Sequence, residues 1–216
     1  MKFKKLSINE QIYTEENLDD IIKICHKITL KHGGPLGDMN EKDLEKKYKR
    51  KNEYLIRDLI TALSICHNVT PVYENDQKTL QASSPDEFAL VSFAESLNFK
   101  LKNRDEYRIV ITNSMNKDEE YDILACFPFS SETKRMGILV KHLESNKIIF
   151  YLKGADVIMA NKVRPIYKAI VNDECDNLAR EGLRTLVIGQ KFITNDQYLF
   201  WKSMYDKACV SLVNRA

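Results

Sequence analysis

Glycine and proline are scarce in this chain, seven and five among 216 residues, so little interrupts regular helix or strand. That scarcity excludes collagen-like and low-complexity architectures. Charge of one sign is equally short: 33 basic residues against 31 acidic ones leave a net charge of +2, without the basic excess of a nucleic-acid binder. No apolar run approaches the ~18 residues that a membrane-crossing helix needs. The opening Met1 to Gln11 lacks the apolar core of a signal peptide, so the fragment is expected to be soluble. The five cysteines are scattered, odd in number and never at metal-ligand spacing, which argues against a disulfide framework and fits a reducing compartment. Cys25-His26 and Cys66-His67 are thiol–imidazole neighbours, but adjacent helical residues point about 100° apart. Packing, not metal binding, is expected of them. The Lys-rich stretch Lys42 to Lys51, interleaved with Leu44, Glu45 and Tyr48, reads as a solvated helix face.

What the chain does have is enough apolar surface, 44% of residues, to fill one sizeable core, so residues 1–216 are expected to fold as a single domain. Periodicity predicts an opening strand over Met1 to Ile8 and helices around Leu18 to Leu30 and Asp43 to Leu63. The turn-rich Gly33 to Gly37 between them lacks the Lys-Ser or Lys-Thr of a phosphate loop and reads as a mobile loop. A short strand, Val69 to Glu74, leads into a polar loop ending at Ser83; a helix then starts sharply at Ser84-Pro85. Strands follow at Phe99 to Lys102, Tyr107 to Thr112, Tyr121 to Phe127, Met136 to Leu143 and Lys147 to Lys153, joined by short polar turns that make antiparallel hairpins. Helices at Ala155 to Lys162 and Pro165 to Glu181, a C-cap at Gly182, a strand over Leu183 to Ile193 and a helix from Asp196 to Val213 complete the pattern. The fold class is α/β or α+β: a twisted, mainly antiparallel sheet flanked by helices.

Four short segments place polar or aromatic residues where regular structure begins or ends, which is where rigid elements present functional groups. Phe129, between two strands in Phe127 to Met136, can stack on a purine base or serve as core at a strand end. Lys153 emerges at the end of an apolar strand, and Gly154 after it lets a ligand approach the backbone or simply makes a turn. Arg184, just past the helix stop at Gly182, can grip phosphate oxygens with its guanidinium fork or form a surface ion pair. Glu87 has two rival tasks. Ser84-Pro85-Asp86-Glu87 is a well-formed capping box in which Glu87 reaches back to the Ser84 amide; a carboxylate turned outward instead accepts a hydrogen bond from a base or ribose.

Taken together and in this order, Ser83 to Glu87 with Ala89-Leu90-Val91, Phe129-Ser130-Ser131 before Lys134-Arg135-Met136, Lys153 to Asp156, and Glu181 to Leu186 resemble the nucleotide-binding domain of type IV P-type ATPases, the lipid flippases. Both ends resemble that domain's borders, so the resemblance covers nearly the whole chain. It implies ATP as ligand: Phe129 stacks on adenine, Glu87 contacts the base region, Lys153 and Gly154 line the adenine–ribose pocket, and Lys134 and Arg184 lie toward the phosphates, with the hydroxyls of Ser130 and Ser131 nearby. Flippases usually carry a basic residue at Thr133 and often serine at Gly137, so the site has one positive charge fewer than the pattern. The Asp-Lys-Thr-Gly-Thr loop that accepts the phosphoryl group is missing, and Asp206-Lys207 is followed by Ala208. The resemblance therefore implies a cytoplasmic domain of an integral membrane protein that binds ATP without turning it over. Magnesium ligands would lie outside it, its partners would be the parent's phosphorylation and actuator domains, and the parent would carry an accessory glycoprotein subunit. The fragment itself is expected to be monomeric. A flippase-like regulatory module that senses nucleotide within a larger fused protein is the alternative, hinted at by Thr133.

Overall fold

The computed structural model describes residues 1–37, 39, 50–75 and 77–210. Most of the Lys42 to Lys51 stretch, the expected helix start at Asp43 and the expected helix end at Val213 lie outside the described residues. Ten strands and six α-helices are found among those described: β1 (Leu6–Ile8), β2 (Gln11–Tyr13), α1 (Leu18–His32), α2 (Asn52–Ile65), β3 (Thr70–Glu74), β4 (Gln77–Gln81), α3 (Pro85–Ser96), β5 (Lys100–Arg104), β6 (Arg108–Thr112), β7 (Asp118–Phe127), β8 (Arg135–His142), β9 (Ile148–Gly154), α4 (Asp156–Met159), α5 (Pro165–Arg180), β10 (Val187–Ile193) and α6 (Asn195–Val210).

Strands β5 to β10 form one antiparallel sheet in which chain order is also spatial order. Short turns link β5 through β9, and α4 and α5 intervene before β10 returns along β9. Side chains alternate across each strand, so the sheet has two apolar faces. On one, Ile109, Tyr121, Ile138, Ile149 and Tyr151 pack under Ile56, Ile60 and Leu63 of α2 and Val91 and Ala94 of α3. On the other, Ala125, Leu139 and Ile148 with Phe127 and Phe150 receive Tyr198, Trp201 and Tyr205 of α6. The result is a sheet flanked by helices, as expected from the sequence.

Deep in the first face lies a charge. Arg57 of α2 is fully buried and pairs with Glu119 of β7, while its Nε donates to Thr29 Oγ1 at 2.8 Å. Glu119 also accepts from Asn113 Nδ2 at 2.8 Å and Tyr121 Oη at 2.6 Å. Burial opposes the Arg57 charge, but Glu119, Tyr121 and Cys25 together outweigh it and hold the pKa above the ordinary value. Burial likewise pushes Glu119 up; Arg57, Tyr121 and Asn113 together bring it below the usual carboxylate range.

Several local expectations are corrected. The opening strand is shorter, Leu6–Ile8, and forms a hairpin with β2 that apolar alternation did not reveal. The polar stretch before Ser83 contains β4, paired residue by residue with β3. The short helix α4 spans one turn, and β10 begins at Val187, not Leu183. Gly33 to Gly37 is not a loose loop: Gly34, Pro35 and Leu36 are buried, and Leu36 N–H donates to Asp58 Oδ1 at 2.8 Å. A Cβ on Gly34 would lie 2.3 Å from the His142 ring, so packing requires glycine there. Gly182 does end α5, with φ 74° and its N–H bonded to Ala179 O. Cys25 and Cys66 are buried as core residues, and burial pushes both thiols up to about 12.

Candidate functional site

Antiparallel register gathers the start of β8, the end of β9 and the start of β10 at one end of the sheet: Arg135 pairs with Gly154, Met136 with Lys153, and Val187 with Gly154. The end of β7 is there too, because Phe127 faces Gly137. The turn 128–134 bridges β7 and β8 over this edge, and α3 brings its N-terminus to it from the helical face.

Lys153 follows Ile149 and Tyr151 on the helical face and is itself buried. A buried ammonium needs a partner, and Glu87 supplies it: Nζ lies 2.9 Å from Oε1, with Glu87 also buried. The second oxygen of Glu87 accepts from the Asn68 N–H at 3.2 Å. The capping box does not form. Ser84 Oγ accepts from Asp86 N–H, the second helical position, while Glu87 points away to Lys153. Helix start and charge pairing are thus divided between neighbouring residues.

Packing alone requires glycine at 154. A Cβ there would stand 2.8 Å from the Lys134 carbonyl oxygen and 2.9 Å from Arg135 Cβ, so β9 needs glycine to pass the turn, whatever the ligand. Lys134 has φ 48° and is exposed; its carbonyl accepts from Ala155 N–H at 3.1 Å, which ties the turn to the end of β9. Within the turn, Ser130 O accepts from Lys134 N–H, and Ser130 Oγ binds Thr133 twice, at the amide and the hydroxyl. Thr133 thus closes the turn, a task independent of charge. Ser131 is exposed beside it, and Phe129 is 61% exposed despite its apolar ring. Gly137 is also accounted for: a Cβ would meet the Phe150 ring at 2.9 Å.

Arg184 joins the set through Asp86, whose Oδ2 lies 3.2 Å from Arg184 Nη1, with the guanidinium largely exposed. The other Asp86 oxygen is buried with no hydrogen-bond partner among the described residues. Both residues line a cavity of about 470 Å³ that also touches Phe3, Leu90 and Leu178. A second cavity, about 500 Å³, is lined by Asn68, Thr70, Arg104 and Cys126 and touches the Glu87–Lys153 pair through Asn68.

One chain of contacts therefore runs from the Phe129 turn through Lys134, Gly154 and Lys153 to Glu87, and from its neighbour Asp86 to Arg184. Sequence reasoning missed Asp86, Asn68 and Arg104. Asp86 stands inside a motif already singled out, and Arg104 ends a strand just as Lys153 does. Nothing in the sequence points to Asn68, which acts through its backbone. An exposed ring, a buried cation–carboxylate pair and an exposed guanidinium around one edge suit a nucleoside polyphosphate: stacking surface, hydrogen bonds for base or ribose, and positive charge for phosphate.

The family model for the P-type ATPase cytoplasmic domain N matches residues 55–213. The chain belongs to that family. Its relatives carry more particular names. Phospholipid-transporting ATPase NEO1 of Saccharomyces cerevisiae is 38% identical over 216 residues, covering 100% of this chain and 18% of that protein. Probable phospholipid-transporting ATPase IIB of Mus musculus is 35% identical over 243 residues, 100% of this chain and 21% of the relative. Phospholipid-transporting ATPase neo1 of Schizosaccharomyces pombe is 38% identical over 215 residues, 99% and 19% respectively. The chain thus spans about a fifth of the length of these curated relatives. Among the described residues, no helix is long and apolar enough to cross a membrane.

Proposed function

We propose that residues 1–216 form one nucleotide-binding domain, a cytoplasmic part of a phospholipid-transporting P-type ATPase that holds ATP by its adenosine end. The observation that carries this reading is the buried Lys153–Glu87 pair beside the exposed Phe129 turn, with Arg184 held on the neighbouring Asp86. Phe129 stacks on adenine, Glu87 and Lys153 hold the base and ribose, and Gly154 keeps the backbone beside them open. Lys134 and Arg184 face the phosphates, with Ser130 and Ser131 at the turn between. Stacking contributes about 1–3 kcal/mol and ~4 kcal/mol corresponds to millimolar affinity, so binding of a millimolar or tighter is within reach of these groups.

Binding at the base then positions a distant bond. Closure of this domain on the parent's phosphorylation domain brings the γ-phosphate to an acceptor aspartate there, with magnesium held by that domain's carboxylates. Phosphorylation and its reversal, relayed by the actuator domain, drive phospholipid between leaflets in the membrane-embedded remainder, which works with an accessory glycoprotein subunit. The fragment alone, a monomer without that aspartate, binds ATP and does not hydrolyse it. The fused regulatory module gains nothing from Thr133, whose hydroxyl is engaged in closing its turn.

Titration of the purified domain with ATP, followed by NMR, tests the site. Saturable shifts at the Phe129 turn, weakened about tenfold or more in Phe129→Ala and Lys153→Ala, are expected. No saturable shift, or unchanged affinity in both variants, contradicts the assignment.

A further inference from the structure

Arg104 ends β5 partly buried, and its Nη1 donates to the Ile65 carbonyl at 3.2 Å, at the end of α2. Among the described residues it forms no ion pair, so most of its N–H donors are left over. Burial lowers its pKa, offset in part by Cys126, Cys66 and Glu87 nearby. A partly buried guanidinium without a paired carboxylate has donors to offer a ligand.

The space it faces is the cavity of about 500 Å³ bounded by Asn68, Thr70, Asp105, Glu106 and Cys126, a volume in the usual range for small-molecule sites. Two contacts join this cavity to the nucleotide site. Asn68 donates its N–H to Glu87, so one wall of the cavity holds the carboxylate that pairs with Lys153. Cys126 stands near the end of β7, which leads directly into the Phe129 turn.

The chemistry of the lining chooses between occupants. Asp105 and Glu106 line the cavity against one guanidinium, and the adjoining Glu87 is neutralised by Lys153, so a phosphate or carboxylate would enter an unfavourable field. A neutral heteroaromatic ring meets no such barrier. Its ring nitrogens accept hydrogen bonds from the guanidinium, whose plane also stacks on an aromatic face. The geometry points to Arg104 as a base-binding residue of the nucleotide site, with an edge of the purine entering this cavity, which Asn68 joins to the Glu87–Lys153 pair. This rests on the nucleotide-binding reading above and assigns the base, not the phosphates, to this side of the site.

Base contacts and phosphate contacts separate when adenosine and ATP are titrated side by side. In Arg104→Met, adenosine and ATP affinities should fall by the same factor, about tenfold, whereas Arg184→Ala should weaken ATP alone. Arg104→Lys, which keeps the charge and loses the fork, should show an intermediate loss with thermal stability unchanged. Saturating adenosine should also slow alkylation of Cys126 in the unmodified domain. Unchanged adenosine affinity in a folded Arg104→Met protein, or a loss confined to ATP, overturns the inference while leaving nucleotide binding intact. Absence of any adenosine or ATP binding by the unmodified domain removes the nucleotide reading itself.

Discussion

Two buried ion pairs, Arg57–Glu119 and Lys153–Glu87, connect the same helical layer to the same sheet, and they differ in what surrounds them. Arg57 sits at 1% side-chain exposure with hydroxyls, an amide and the Phe99 ring closing around the pair. Lys153 sits at 9%, and Glu87 is the one hydrogen-bond partner of its ammonium among the described residues. The first network is satisfied from within; in the second both Glu87 oxygens are engaged, by Lys153 and the Asn68 N–H, but the Lys153 ammonium keeps N–H donors in reserve. A closed pair fixes how α1, α2 and the sheet meet, and an open pair is ready to exchange partners with a ligand.

If that division is right, the two pairs should respond differently to perturbation. The largest effect is expected at the closed pair: Arg57→Met leaves Glu119 buried without its cation and should cost about 3–5 kcal/mol in urea unfolding. A cost under about 1 kcal/mol would mean that the network contributes little to stability, and the contrast would fail.

Acid should act first through two buried histidines, His67 near the open pair and His142 beside Tyr121 of the closed one. His67, two residues before Val69, accepts that residue's N–H at Nδ1 and hydrogen-bonds Ser64 O through Nε2, which fixes the neutral tautomer. Burial holds its pKa well below 6.5, and burial lowers His142 as well. The unfolded chain therefore binds protons that the folded one refuses. Stability is full above about pH 6.5 and falls below it, by up to about 1.4 kcal/mol per pH unit for each histidine. Glu119 has a depressed pKa, so its contribution persists above its unfolded value of about 4.3 and is lost only as pH falls further. Urea midpoints at pH 7.5, 6.0 and 5.0 check the order, and a flat profile down to pH 5 contradicts it. His67→Gln should reduce the slope.

How much of this was legible in the sequence follows the range of the interactions. Local chemistry was readable: Ser84-Pro85 starts α3, Gly182 stops α5, and alternation marks β6 to β9. The hairpin β3–β4 was half-read because Gln77–Gln81 contains one apolar residue, Leu80, and is held by pairing with β3 instead of by burial. Gly34 and Gly154 could be marked as unusual but not explained, since the atoms that exclude a side chain, His142 and Lys134, come from elsewhere in the chain. The same limit applied at the site. Glu87 offered two partners by sequence, its own helix start or a ligand, and the structure supplied a third, Lys153, 66 residues away. Arg57 carried no signal, because arginine on an amphipathic helix is ordinarily exposed and its burial depends on Glu119 in a distant strand.

The smallest change with the most to decide is Glu87→Gln, measured by ATP calorimetry beside urea unfolding. The division between closed and open pairs predicts that ATP affinity falls about tenfold while stability drops by roughly 1–2 kcal/mol, well short of Arg57→Met. Stability lost as heavily as in Arg57→Met, with ATP affinity unchanged, would make Lys153–Glu87 a second structural pair and contradict its place in the nucleotide site.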